Sequence, residues 1–146
     1  MSKLILGVCA LLASGLLATA CGGDDDELTK AEYIEQANAI CKAGNKKIDA
    51  VADQTFKGNQ RPSNAQLEEF ATETVVPNIQ GQVSDVRELE PPAEDQEQIT
   101  EFLDEAQGEI ETIKGDPASL FTDTSSFEKA NDLARAYGLD ECADDN

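Results

Sequence analysis

The chain has 146 residues with 30 acidic and 11 basic side chains, so its formal net charge is −19 at pH 7. This length allows one domain with a modest core, and the charge opposes binding to nucleic acid and to anionic lipid headgroups. The sequence contains no histidine, which excludes Cys–His and Ser–His–Asp nucleophile systems, the common zinc sites and the Glu-x-x-His di-metal site of helical bundles.

The N-terminal segment combines a short charged start with an apolar stretch from Leu4 to Ala20 that ends in small residues. These features are typical of a secretory signal, so we predict that residues 1–20 are a signal peptide. Cys21 follows directly, and this arrangement resembles the lipobox of bacterial lipoprotein precursors. The resemblance implies that the Cys21 thiol receives a diacylglycerol and that the lipid holds the processed chain on the extracytoplasmic side of the cell membrane.

An uncleaved transmembrane helix is the alternative for the same segment. Leu4 to Ala20 gives 17 mostly apolar residues, which is near the lower limit for a span. Gly7, Ser14 and Gly15 weaken this alternative. Either interpretation tethers the residues from 28 onward to a membrane from outside.

The four cysteines have separate expected roles. Cys9 leaves with the signal peptide and Cys21 is acylated. Cys41 and Cys142 remain, and two cysteines in an exported domain indicate one disulfide. It would close a loop of about 100 residues, a constraint worth roughly 4–5 kcal/mol. A redox-active pair is the alternative, but the sequence has no Cys-x-x-Cys motif, and Lys42 is the only close basic neighbour.

An acidic tether at residues 21–28 leads into the first predicted helix. Thr29 and Glu32 fit a capping box with Leu28 as a staple, and Gly58-Asn59 ends the helix. Its apolar face, at helical spacing, comprises Ile34, Ala37, Cys41, Ile48, Val51, Ala52 and Phe56.

The second predicted helix begins at a capping box of Ser63 and Gln66 and stops at Pro91-Pro92. Pro77 falls inside it and should kink the helix rather than end it, because the apolar period resumes beyond it. That face comprises Leu67, Phe70, Ala71, Thr74, Val75, Ile79, Val83, Val86 and Leu89.

Two further helices complete the predicted domain. The third covers about Ala93 to Lys114, with the apolar stripe Ile99, Phe102, Leu103, Ala106, Ile110 and Ile113. In residues 115–124, Leu120 and Phe121 are expected to cover one end of the core. Ser125 and Glu128 fit a third capping box, which opens a short helix that Gly138 closes.

These elements predict an all-α, up-down-up-down antiparallel four-helix bundle over residues 29–142, with an acidic tail at 143–146. The helical rise places Cys41 about 17 Å from the start of the first helix. The short fourth helix, starting from the far end, brings Cys142 to nearly the same level. The bundle and the disulfide therefore support each other.

A second resemblance rests on an early Lys30-Ala31-Glu32-Tyr33-Ile34 with Ala37 and Ile40-Cys41, and a late Tyr137-Gly138-Leu139 with Cys142. This pattern resembles small helical lipoproteins of actinobacteria. The resemblance implies a helical fold and a membrane-anchored location, and it implies no chemistry.

Candidate catalytic and metal-binding residues all have simpler interpretations. The carboxylate pairs Glu68/Glu69, Asp104/Glu105 and Glu109/Glu111 are expected on solvated helix faces. The acidic runs at residues 24–27 and 140–145 lack the turn glycine and bidentate glutamate of a calcium loop. Tyr33 and Tyr137 are expected in the core. We therefore predict no catalytic residue, no cofactor and no metal.

Two classes of function remain for a non-enzymatic protein anchored through Cys21. One is a binding module for a small ligand, an envelope polymer or a neighbouring membrane protein. The other is a structural spacer lipoprotein of an envelope complex. A large cavity beside the kinked second helix would favour ligand binding, whereas a packed core with an exposed apolar stripe would favour a protein partner.

Overall fold

The computed structural model describes residues 28–58 and 61–143. The predicted signal peptide, the acylation site Cys21, nearly all of the acidic tether and most of the acidic tail lie outside the described residues. Within the described ranges no helix has the length and apolar character to cross a membrane.

The described residues form helices joined by loops, without a strand, which confirms the all-α prediction for this part of the chain. The elements in chain order are α1 (Lys30–Thr55), α2 (Asn64–Phe70), a π-helical segment (Ala71–Val75), α3 (Val76–Arg87), α4 (Gln96–Gly115), α5 (Ser119–Thr122), α6 (Glu128–Tyr137) and a final 3-10 turn (Asp140–Cys142).

Two of the three predicted capping boxes are confirmed. At the start of α1, the Glu32 backbone N–H donates to Thr29 Oγ1 at 3.3 Å, and the Thr29 N–H donates to Glu32 Oε2 at 3.0 Å. The Ser63 and Gln66 side chains make the same reciprocal pair at the start of α2. Each box satisfies two N–H groups that a helix start otherwise leaves unpaired.

The third predicted capping box, at Ser125 and Glu128, is wrong. The Ser125 backbone N–H and hydroxyl both donate to Asp123 Oδ1, at 2.9 and 2.6 Å. An aspartate two residues upstream thus forms a local turn that competes for the serine. Instead α6 begins after Phe127, whose backbone is left-handed with φ 61°.

Helix continues without a break from Asn64 to Arg87, so Pro77 does not separate two helices. The distortion takes the form of the π-helical segment just before it, where the Val76 N–H donates to the Ala71 carbonyl five residues back. Proline has no N–H, and its ring collides with the carbonyl four residues upstream in a regular α-helix. The wider π turn relieves that conflict, and it places Pro77 in the first turn of α3.

The core is built around α4, whose predicted stripe is buried throughout. Both α3 and α6 pack against α4, while α1 packs against α3 and the final 3-10 turn, and buried residues of these four helices form one core. The fully buried α1 residues all lie at or before Gly44. The later half of this 26-residue helix contacts α2 through the edge-to-face rings of Phe56 and Phe70, 5.1 Å apart.

Two apolar residues assigned to the core by sequence are exposed instead. Val51 is 37% exposed and Phe121 is 41% exposed, while Leu120 packs against the core as predicted. Val51 lies in the second half of α1. This half extends past the elements that bury the first half. In the four-residue α5, Leu120 and Phe121 are adjacent in sequence, so their side chains point in different directions and only Leu120 packs against the buried core.

The Cys41–Cys142 disulfide is confirmed, with an Sγ–Sγ distance of 2.01 Å and a Cα–Cα distance of 4.9 Å. Two asparagines of α1 reinforce this join. Asn38 donates to the Gly138 carbonyl and accepts from the Glu141 N–H, both at 3.0 Å, and Asn45 donates to the Glu141 carbonyl at 2.9 Å. The C-terminal turn is therefore held by side-chain amides as well as by the covalent bond.

Candidate functional site

A pocket of about 770 Å³ lies between α1, the π segment with α3, α4, α6 and the loop that leads into α6. Its buried lining is apolar and includes Val83, Val86, Phe102, Leu103, Ala106 and Ala130. The disulfide also lines it, since Cys41 and Cys142 both face the pocket. A concave, mainly apolar space of this size is typical of small-molecule sites.

The loop between α4 and α6 supplies one wall of the pocket. Leu120, Phe121 and Phe127 all line it. Phe127 is the one non-glycine residue with positive φ among the described residues. This left-handed backbone is unfavourable for a bulky side chain, and here it follows the turn closed by Asp123 and Ser125. The loop is thus turned so that its apolar side chains line the pocket.

The solvent-exposed part of the lining is polar and mainly acidic. Asp49 of α1, Asp123 of the loop, and Glu128 and Asp132 of α6 line it, with Arg135 as the cation among them. Arg135 donates to Asp132 Oδ1 at 3.2 Å and to the Ala143 carbonyl at 3.1 Å. Hydrogen bonds from the Ser125 hydroxyl and N–H lower the pKa of Asp123, so this carboxylate is ionised at neutral pH.

A buried amide of α3 lies close to Gly44 of α1. The Nε2 atom of Gln82 is buried without a hydrogen-bond partner among the described residues. It lies so close to Gly44 that a Cβ added to that glycine would be only 2.1 Å from it. Gln82 also lines the pocket. Burying an N–H group without a hydrogen-bond partner costs free energy. This amide can therefore still donate a hydrogen bond.

Lys30 and Tyr33 of the early sequence pattern and Tyr137 of the late one come together at the start of α1. The Tyr33 and Tyr137 rings meet edge to face, with centroids 6.0 Å apart. The Tyr137 hydroxyl donates to Asp95 Oδ2 at 2.7 Å, and Lys30 Nζ lies 4.0 Å from the centre of the Tyr137 ring. The two ring contacts join α1 to α6, and the Tyr137–Asp95 bond joins α6 to the start of α4, so this cluster ties three helix ends together.

Burial governs the ionisation of this tyrosine pair. It raises the pKa of Tyr33 to about 12. Burial also raises the pKa of Tyr137, and the hydrogen bond to Asp95 adds to the shift. Both phenols are therefore neutral at physiological pH. They are placed for packing, and neither can act as a base there.

The carboxylate pairs singled out by sequence do not converge on one site. Glu68 and Glu69 are exposed on α2. On α4, Asp104 pairs with Arg87, and Glu105 pairs with Lys129. Exposed pairs of this kind contribute little to stability. Among the described residues, no three metal-ligating side chains come together.

Sequence reasoning missed the pocket-lining loop and the asparagines that hold the C-terminal turn. Asx turns such as Asp123-Thr124-Ser125 leave a weak composition signal.

Comparison of the chain with protein-family models, curated proteins and solved structures returns no match.

Proposed function

We propose that this protein is a membrane-anchored extracytoplasmic lipoprotein whose helical domain binds a small apolar or amphipathic molecule. The single observation that carries the binding function is the 770 Å³ pocket with its apolar buried lining. Such a space in a domain of this size gives up packing contacts that a closed core would make. A bound ligand would restore them.

The anchored location rests on the sequence pattern that ends at Cys21. Acylation there would place the domain a short distance outside the bilayer, where amphipathic molecules concentrate. Replacing Cys21 with Ala should abolish incorporation of labelled fatty acid and leave the chain unprocessed or released. Labelled lipid on that variant would contradict the anchor assignment.

The helix arrangement belongs to the same proposal, as an up-down-up-down antiparallel four-helix bundle in which α2, the π segment and α3 count as one helix. Several contacts support it. The Leu28 N–H, before α1, donates to the Glu90 carbonyl, after α3, while Phe56, just after α1, contacts Phe70 in the first two turns of the second helix. Likewise Tyr137 of α6 bonds Asp95 at the start of α4, and Lys129 pairs with Glu105 further along it.

Binding is a better fit to the pocket than catalysis. Among the described residues, its buried lining carries no ionisable group, and the carboxylates that line it are all solvent-exposed. The pocket also favours a ligand-binding role over the alternative, a spacer lipoprotein. Of the two large hydrophobic side chains exposed on the described surface, Val51 and Phe121, one already belongs to the pocket.

Native mass spectrometry of the protein purified from its own host tests the proposal. We expect a complex with a retained small molecule that dissociates as the chain unfolds. The variant Ile79→Trp, which enlarges a half-buried side chain in the pocket wall, should lose that mass. Retention of the same molecule by both proteins would place it outside the pocket and contradict the proposal.

A further inference from the structure

We propose that the pocket selects amphiphiles with an apolar body and a cationic head, the class to which primary alkylammonium ions belong. This inference rests on the proposed binding function and specifies its ligand chemistry. It follows from the chemistry of the pocket lining. The buried interior is mainly apolar, and the solvent-exposed part of the lining, called the rim here, is acidic.

The interior is mainly hydrocarbon, and its one buried unpaired polar side-chain atom among the described residues, Gln82 Nε2, is a donor that does not favour a cationic head. Its walls are formed by buried side chains such as Val83, Leu103 and Ala130. Each buried CH₂ of a ligand contributes about 0.8 kcal/mol, whatever the charge at the other end. A preference for a cationic head must therefore come from the rim.

Four exposed carboxylates line the rim: Asp49, Asp123, Glu128 and Asp132. The rim cation, Arg135, already donates to Asp132 and to the Ala143 carbonyl. An anionic head at the rim would lie among several like charges. A cationic head would find carboxylates with accepting capacity to spare.

The charge of the whole chain acts in the same direction. A formal net charge of −19 creates a negative potential around the domain, which lowers the local concentration of anions and raises that of cations. The effect is screened beyond about 8 Å at physiological ionic strength. The rim carboxylates therefore dominate once the head group has arrived.

Three eight-carbon probes isolate the head-group preference: octylammonium, octan-1-ol and octanoate, titrated at pH 7 and low salt. Shifts of the methyl resonances of Val83 and Leu103 report binding inside the pocket. Ile113, which is buried but does not line the pocket, serves as the internal control. We expect octylammonium to bind about tenfold tighter than octanoate, with octan-1-ol between them, and the ratio to shrink as salt is added.

A matched pair of double variants assigns the preference to the rim. Asp49→Asn with Glu128→Gln removes two rim charges, and we expect it to lower the octylammonium-to-octanoate ratio about threefold or more. Glu35→Gln with Asp53→Asn makes the same change in net charge at exposed positions of α1 that do not line the pocket. This control should leave the ratio nearly unchanged.

The outcomes separate the two proposals. If none of the three probes shifts Val83 and Leu103, the pocket binds no small amphiphile, and both proposals fail. If octan-1-ol binds but octanoate binds as tightly as octylammonium, the head-group inference is wrong while the pocket function stands. Equal effects of the two double variants would assign the preference to overall charge and overturn the role of the rim. The comparison of probes on the unaltered protein needs no variant to fold.

Discussion

Tyr33 and Tyr137 are the only tyrosines of a chain without tryptophan, so their ionisation can be read directly from ultraviolet absorbance. Burial raises the pKa of Tyr33 to about 12 and raises that of Tyr137 as well. An exposed tyrosine has a pKa near 10. The folded state therefore holds its phenolic protons longer than the unfolded state does.

The sign of the stability effect follows from this difference. A pKa raised on folding stabilises the protein fully below pH ~10, and this contribution is lost as the pH rises from about 10 towards 12. In an alkaline titration we expect little tyrosinate absorbance at pH 10 in the folded protein. The same chain in denaturant should be about half ionised there. Half ionisation of the folded protein at pH 10 would contradict the buried tyrosine pair.

Single residues also show what sequence could and could not predict. The capping boxes at Thr29 and Ser63 formed as their sequence pattern predicts, each with the residue three positions later. At Ser125 the same pattern failed, because the Ser125 backbone N–H and hydroxyl both donate to Asp123 instead. The role of Asn38 had no sequence signal, since a half-exposed amide on a helix looks the same whether or not a distant carbonyl meets it.

At the scale of elements, α4 was the most predictable helix because its six apolar residues repeat at strict helical spacing and all face the core. The continuity of helix through Pro77 was predicted too. The π-helical segment was not, because the sequence shows that a proline must be accommodated but not which neighbouring turn will widen. The exposure of Val51 depends on how far the neighbouring helices extend along α1. The apolar spacing of α1 itself carries no information about their lengths.

Gly44 and Gly108 are two helix-interior glycines that differ in the space around them, which makes them a matched pair for mutation. Gly108 lies within α4 with open space where a Cβ would be, whereas Gly44 lies against the Gln82 side chain. Replacing a helix-interior glycine with Ala stabilises by about 1 kcal/mol when the site has room. Chemical denaturation should therefore show that Gly108→Ala raises the free energy of unfolding by about this amount.

Gly44→Ala should gain less, or lose stability, because its methyl group displaces the Gln82 amide. In a Gln82→Ala background the same substitution should recover the gain, giving a coupling energy of about 1 kcal/mol in a double-mutant cycle. Equal gains from Gly44→Ala and Gly108→Ala in the unaltered chain would contradict the close contact between α1 and α3.

The disulfide should matter most for the elements after residue 127. The ten-residue α6 is too short to persist without tertiary support, and the turn that follows it is joined to α1 through Cys41 and the two asparagines. Changing both Cys41 and Cys142 to Ser should lower the melting temperature. Amide exchange should accelerate first in Asp140–Cys142 and α6, with α3 and α4 less affected. Uniform acceleration across all helices would contradict this local role.

At the scale of the whole molecule, helix content and the disulfide followed from the sequence, because apolar spacing and capping residues are local signals and only two cysteines lie in the predicted domain. The pocket did not follow. Its volume depends on how the α4–α6 loop turns at Phe127 and on how α1, α3 and α4 fit together, and neither quantity is encoded by any single stretch of residues. The candidate site was thus the least predictable part of the molecule.

The central claim is that this pocket takes up a small apolar molecule, and the fluorescence of the neutral dye Nile red tests it most directly. Two variants each add one tryptophan. Ile79→Trp fills the pocket wall, and Val51→Trp places the same side chain on α1 outside the pocket. We expect saturable dye binding by the unaltered protein and by Val51→Trp, and a loss of about tenfold or more in affinity for Ile79→Trp. Equal affinity of the dye for all three proteins would show that it binds elsewhere and would contradict the account.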